Sequence, residues 1–307
     1  MTDSEFVPII TIAFGPGTAE DLNRVQTELH RIHREYPEIR FNFERHNQFM
    51  ILSGEDELQL EAISQEAIGS AQIPLGEPKV ASRETIRKTA EAEGKYIRQT
   101  GGSGNYGHCW LRIEPNEPEK GYEFLNEIKG GSVPKEYIKL IDEGVRSAMD
   151  LGILAGYPLV DIKVTLFDGS CHDVDSNEMA FKFAGSIAFK EAARKAHPVL
   201  LEPVMAVEAT VPEEFMGATI DDINSRRGRI ESIEHVSGSQ VIKAMVPLKE
   251  MLRSSPYRRP GYSAKFARYE PVSPRRGMDD DGPPISSLNP RGWKPRDPSS
   301  AVRPGDC

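Results

Sequence analysis

The apolar positions of this chain change period along its length, and each change marks an element. Val7 to Phe14 is a short apolar run that reads as a strand. Leu22, Val25, Leu29 and Ile32 then recur at helical spacing behind Thr18, with Asp21 three residues on in a variant of the capping box, until Pro37 stops the helix. Ile39 to Phe43 and Phe49 to Ser53 read as strands around the polar turn His46-Asn-Gln48. Leu58, Leu60, Ile63 and Ala67 predict a second helix over Glu57 to Ile68. This β-α-β-β-α order suits one helical layer on a sheet.

Turn residues at Pro74-Leu-Gly-Glu-Pro78 mark a boundary, and a second segment runs over 79–201. Arg83 to Thr89, Lys95 to Thr100 and Tyr106 to Glu114 are extended. A helix is predicted from Pro134 to about Leu151, with Tyr137, Ile141, Val145 and Ala148 inward. Val160, Ile162, Val164 and Leu166 alternate as a strand does. The following helix, Ser176 to Ala196, is expected to be capped by Ser176 and to bury Met179, Phe183, Ile187 and Ala188. Two loops stand out here: Arg98-Gln-Thr-Gly-Gly-Ser-Gly-Asn-Tyr-Gly-His108 and Asp168-Gly-Ser-Cys-His-Asp-Val-Asp-Ser-Asn-Glu178. If their strands are neighbours, both loops project from one end of a sheet.

A third segment, 202–272, repeats strand, helix, strand, strand. Its helix covers Glu213 to Arg226, with Phe215, Ile220 and Ile223 inward and Gly228 placed to end it. Arg229 to His235 and Gln240 to Val246 form a hairpin, and Tyr262 to Tyr269 is a closing strand. Two prolines between Leu252 and Gly261 argue against a long helix there. The stretch 273–307 holds seven prolines, three successive aspartates and few apolar residues, the composition of a disordered tail.

Composition narrows the function classes. The 307 residues are 38% hydrophobic and 28% charged, with a net charge of −9. No run has the length of a membrane helix, and the start lacks a basic-then-apolar signal pattern. Three cysteines make no disulfide framework, so the cytoplasm is the expected compartment. The acidic total argues against nucleic acid, yet Leu252 to Cys307 carries eleven Lys and Arg against six Asp and Glu, a prompt to look for a local basic patch. Ser225-Arg-Arg-Gly-Arg229 offers three guanidiniums that either meet phosphates or solvate a helix end.

The glycine loop contains a formal G-x-G-x-x-G, but Tyr106 to Ile113 continues as strand, where a dinucleotide site needs a helix. No G-x-x-x-x-G-K-[ST] is present, so no GTP site is expected. His108-Cys109 and Cys171-His172 contain zinc-ligand types, but successive strand residues face opposite ways, and no metal or other cofactor is expected. His172 on its own reads as a loop histidine or as a binding residue held out by a scaffold.

Thr100-Gly-Gly-Ser-Gly-Asn-Tyr-Gly-His108, Gly131-Ser-Val-Pro-Lys-Glu-Tyr137, Leu154-Ala-Gly-Tyr-Pro158, Asp168 to Ser176 and Glu178-Met-Ala-Phe-Lys182 resemble domain IV of bacterial elongation factor G. Leu200-Leu-Glu-Pro203, Val211-Pro-Glu-Glu214 and Asn224-Ser-Arg-Arg-Gly-Arg-Ile230 resemble its domain V, and 5–78 resembles its domain III. The resemblance implies an α+β protein of three modules: ferredoxin-like βαββαβ domains (5–78 and 202–272) flanking a middle domain of ribosomal-protein-like fold (79–201), with the tail 273–307. It implies a translation factor relative that binds the ribosome and its RNA and is no enzyme by itself, because the family's GTPase domain has no counterpart here. The alternatives are half of a split or decayed factor needing a separate GTPase chain, or an enzyme using phosphate or metal at the glycine loop. The RNA-contacting residues implied are Gly101, Gly102, Ser103, Gly104 and Asn105 of the first loop, His172 and Asp173 of the second, and Arg226, Arg227 and Arg229. Of these, His172 falls where the family places the tip histidine that enters the small-subunit decoding centre. Ser103 and Asn105 stand where relatives usually carry arginine and glutamine, which removes one phosphate-neutralising charge.

Overall fold

A computed structural model describes residues 8–15, 17–44, 49–69, 71, 73–98, 104–172, 174–236, 238–252 and 261–272. The described chain is α+β with three sheets and divides into two compact units, one holding 8–81 with 202–270 and the other 82–201 with 271–272. The tail expected to be disordered lies outside the described residues.

The first unit begins with β1 (Ile10–Phe14), α1 (Ala19–Glu35), β2 (Arg40–Glu44), β3 (Phe49–Gly54), α2 (Glu57–Ile68) and β4 (Lys79–Val80). The strands order as β2-β3-β1-β4, with every recorded pairing antiparallel. Thr18 caps α1 by accepting the Asp21 N–H, and Leu22, Val25, Leu29 and Ile32 are buried, as their spacing predicts.

The second unit opens with β5 (Arg83–Ile86), β6 (Ala90–Arg98), β7 (Asn105–Pro115), β8 (Glu123–Asn126), α3 (Lys135–Asp150), β9 (Ile162–Ser170) and α4 (Glu178–Lys195). Its sheet runs β6-β7-β9-β8. The pair β8–β9 is parallel, and the short β8 is absent from the periodicity reading. One face of the sheet is buried through Cys109, Leu111, Ile113, Ile162, Val164 and Leu166. Burial pushes the Cys109 thiol up to about 12.

Helix α4 corrects the expectation. Met179, Phe183 and Ile187 are exposed, while Ala180, Phe181, Ala184, Gly185, Ala188 and Ala192 are buried. α4 is pressed against both α3 and the sheet, so small residues take the points of closest approach while Phe181 and Phe189 fill the core beside them. A Cβ on Gly94 of β6 would stand 2.0 Å from the Ala184 carbonyl oxygen. Glycine on β6 facing Ala184 and Ala188 on α4 allows that approach.

Buried Glu84 on β5 is the polar centre of this unit. Its carboxylate accepts backbone N–H groups of Ile153 and Leu154 on Oε2, at 2.7 and 2.9 Å, and of Ala155 and Tyr157 on Oε1, at 2.7 and 3.1 Å. Four amides thus satisfy a charge that would be costly to bury alone.

The chain then follows β10 (Pro198–Pro212), a 3₁₀ turn (Glu213–Phe215), α5 (Met216–Ser225), β11 (Arg229–Val236), β12 (Ser239–Pro247), α6 (Leu248–Leu252) and β13 (Tyr262–Pro271). Residues 198–201 of β10 pair with β5 in the second unit, and the rest of β10 is central to the order β11-β12-β10-β13. That order repeats the βαββαβ pattern of the first sheet. The two segments share one buried cluster, which joins Ile12, Leu29 and Leu52 to Val207, Ile223 and Ile242. Phe215, expected inward, is exposed because the 3₁₀ turn precedes the helix proper; Ile223 is buried. The shortened second helix is α6, with 253–260 outside the described residues.

Candidate functional site

The two loops do meet at one end of the second unit's sheet. β6 and β7 are paired as far as Arg98 and Asn105, so their connection leaves from that end. β9 pairs with β7 up to His108 and Ser170, so Asp168, Gly169 and Ser170, read from the sequence as the start of the second loop, belong to the sheet. Of the candidate residues, Gly101, Gly102, Ser103 and Asp173 lie outside the described residues. Gly104, Asn105 and His172 are brought together.

Asp175 is the clasp between the loops. Its Oδ1 accepts the Gly104 N–H at 2.9 Å, and its backbone carbonyl accepts the Tyr106 N–H at 2.8 Å. A Cβ on Gly104 would stand 2.9 Å from the Asp175 carboxyl carbon, so the first loop needs glycine there to approach. Asn177 adds a second tie, donating from Nδ2 to Asn105 Oδ1 at 2.6 Å. Asn177, rather than Ser176, caps α4 by accepting the Ala180 N–H. Ser176 instead accepts the His172 N–H on Oγ at 2.8 Å and donates its own N–H to the His172 carbonyl, closing the second loop on itself.

The His172 side chain is 55% exposed. Its Nδ1 receives the Val174 and Asp175 N–H groups in long contacts of 3.4 and 3.3 Å and lies 3.4 Å from Asp175 Oδ2. The amides suit a neutral ring with its lone pair on Nδ1, and the carboxylate suits a protonated one. Nδ1 is thus engaged inside the loop, while more than half of the side chain stays exposed. Beneath it, Tyr106 Oη and His108 Nδ1 both reach Ser170 Oγ, at 2.8 and 2.7 Å, and the Tyr106 ring lies 6.1 Å from that of His172. His108 Nε2 is 2.9 Å from Glu93 Oε1, but off the line needed for a hydrogen bond, and has no hydrogen-bond partner among the described residues. His108 and Cys109 face opposite sides of the sheet, one part-exposed and one buried.

The arginine cluster neither stands free as three guanidiniums nor simply solvates a helix end. Arg226, only 11% exposed, donates from Nε and Nη2 to both Asp222 oxygens and from Nη1 to the Glu250 carbonyl. Arg227 has φ +59°. It grips both Glu202 oxygens at 2.8 Å and Glu250 Oε1 at 2.9 Å. These partners, Glu202 first, raise its pKa. Arg229 alone projects, 65% exposed and 3.8 Å from Glu231. Asp222, Glu202 and Glu250 decided the outcome, and their distance in sequence from the arginines hid two of them. Asp175 and Asn177 were also missed. The available signal was their position just before the helix, where Asp and Asn cap and tie turns.

Comparison with known proteins fits this geometry. The family model described as elongation factor G, domain IV, matches residues 78–197. The one described as elongation factor G C-terminus matches 199–276. A crystal structure of a Thermus thermophilus protein is similar at 36% identity and a TM-score of 0.67, over 87% of this chain and 41% of that one. This chain therefore spans about two-fifths of that relative's length. By its second unit and the segment that follows, the chain belongs to the elongation factor G family, as a representative of its domain IV and C-terminal parts.

Proposed function

We propose that the chain is a ribosome-binding relative of translation elongation factor G that contacts ribosomal RNA through the clasped tip, with His172 as the stacking and hydrogen-bonding residue and Gly104 and Asn105 presenting backbone beside it. The observation that carries this reading is the clasp. Asp175 and Asn177 spend their polar groups holding two loops together, while the imidazole they frame is left open to a partner. Loops held out by a rigid sheet suit RNA, whose unstacked bases are read by aromatic and imidazole faces. Arg229 is the phosphate contact on the other unit. Arg226 and Arg227 serve the fold, and the reading assigns binding rather than catalysis to these residues. The GTPase activity of the wider family is taken to reside elsewhere, in a separate chain or segment.

Co-sedimentation with ribosomes across a salt series tests it. His172→Ala is expected to cost about 1–3 kcal/mol of binding with a nearly unchanged salt slope, because base stacking releases no counterions. Arg229→Ala should lower the slope by about one. Absence of binding at low salt, or binding indifferent to both residues, would defeat the proposal.

A further inference from the structure

The second unit's sheet has another face, opposite α3 and α4, and its chemistry is unlike that of the tip. Trp110 stands near its centre, part-exposed, between buried Cys109 and Leu111. In register on the flanking strands are Glu93 of β6 and Asp168 of β9, so the indole has a carboxylate on either side. Asp168 reaches this row through an irregularity. The β7–β9 register shifts between Trp110 and Leu111, which places both Phe167 and Asp168 toward this face between buried Leu166 and Gly169. Bulges of this kind re-aim side chains. The Phe167 ring lies 6.2 Å from Trp110, and the Arg112 guanidinium covers it at 5.2 Å, so one aromatic already holds a cation.

Charge decides what could settle here. Arg112 is matched by Glu91 at 2.7 Å and Lys163 by Glu114 at 3.5 Å. Lys95 stands one row nearer the tip, opposite His108. Beside the indole itself stand Glu93, whose carboxylate lies 2.9 Å from His108 Nε2, and Asp168, whose Oδ1 accepts the Gly169 N–H at 2.8 Å; among the described residues neither is matched by a lysine or arginine. A phosphate backbone would be repelled by them, whereas a guanidinium or ammonium would gain both the aromatic face and the carboxylates. We propose that this face, centred on Trp110 and flanked by Glu93 and Asp168, docks an extended arginine- or lysine-rich segment of a partner protein. Trp110 supplies an aromatic anchor, and the two carboxylates fix the position of a cationic side chain over it.

The chain has two tryptophans, so a Trp293→Phe version of the full chain makes Trp110 the only reporter. Its emission would be followed during titration with a blocked octapeptide of alternating arginine and glycine. A glutamate–glycine octapeptide and a single-stranded RNA octamer serve as the contrasting ligands. Saturable binding of the arginine peptide alone is expected. Glu93→Gln with Asp168→Asn should weaken it by about tenfold and flatten its salt dependence, with the melting temperature unchanged because both carboxylates are exposed. Trp110→Leu, read by calorimetry, should weaken it by about fivefold. Equal affinity in the doubly neutralised variant, or tighter binding of the RNA octamer, would overturn the proposal. Truncation after Val272 that tightened peptide binding by more than about fivefold would also overturn it, by assigning the face to the chain's own tail.

Discussion

The tip and the arginine turn invite comparison because both are short polar stretches next to a helix end, and both could be taken for RNA contacts. They use their polar groups in opposite ways. At the tip, Asp175 and Asn177 are bound to backbone and to Asn105, so the framework absorbs the polar groups and leaves His172 exposed. At the turn, the cations themselves are absorbed: Arg226 by Asp222, Arg227 by Glu202 and Glu250. Charge in a sequence is therefore not charge on a surface. What distinguishes the two regions is whether the fold supplies a partner.

The comparison breaks most readily at Arg227. Removing its side chain leaves Glu202 and Glu250, 9% and 11% exposed, without their cation. Stripping one member from a buried pair costs about 3–5 kcal/mol, and partial exposure of Arg227 reduces this to about 2–3 kcal/mol. Urea unfolding of Arg227→Ala should show that loss in the midpoint. A change below about 0.5 kcal/mol would mean that the arginine is free for RNA after all. Asp175→Ala is a smaller test. It deletes one charge-assisted hydrogen bond to an amide, worth about 1–2 kcal/mol locally, and should speed hydrogen exchange at Gly104 without moving exchange in α3. Equal protection at Gly104 in both proteins would show that the clasp does not hold the first loop. The smallest effect belongs to His172→Ala, which should change stability by less than about 0.5 kcal/mol in thermal melts, since the exposed ring makes only long contacts. A larger loss would give the imidazole a structural role and weaken its reading as a binding residue.

Much of the architecture was legible because helical and strand periods differ. The β-α-β-β-α order of the first segment, the strand-helix-strand-strand order of the third and the N-cap of α1 follow from local residue types. Burial on α4 was not legible. Reading Met179, Phe183 and Ile187 as the inward stripe chose the wrong face, since the buried face carries Phe181 and Phe189 together with the alanines that meet Gly94 at close range. Strand β8 is four residues long and paired in parallel, with too little length to show a period. At the candidate site, the glycines and His172 announced themselves by composition. Their supports did not, since Asp175 meets Gly104 across 71 positions and Glu202 meets Arg227 across 25. Such pairings exist only once the sheets are assembled.

Glu84 carries a consequence in time. The amides it satisfies, from Ile153 to Tyr157, lie 69 to 73 positions away along the chain. Until β5 is seated that stretch has no internal partner for those groups, and closing so long a loop is slow relative to forming α3 beside it. Ordering of 153–157 is thus tied to the arrival of a strand from the far end of the unit. A nascent chain would hold α3 before it could hold the turn that follows, and the carboxylate would act as the latch that records completion.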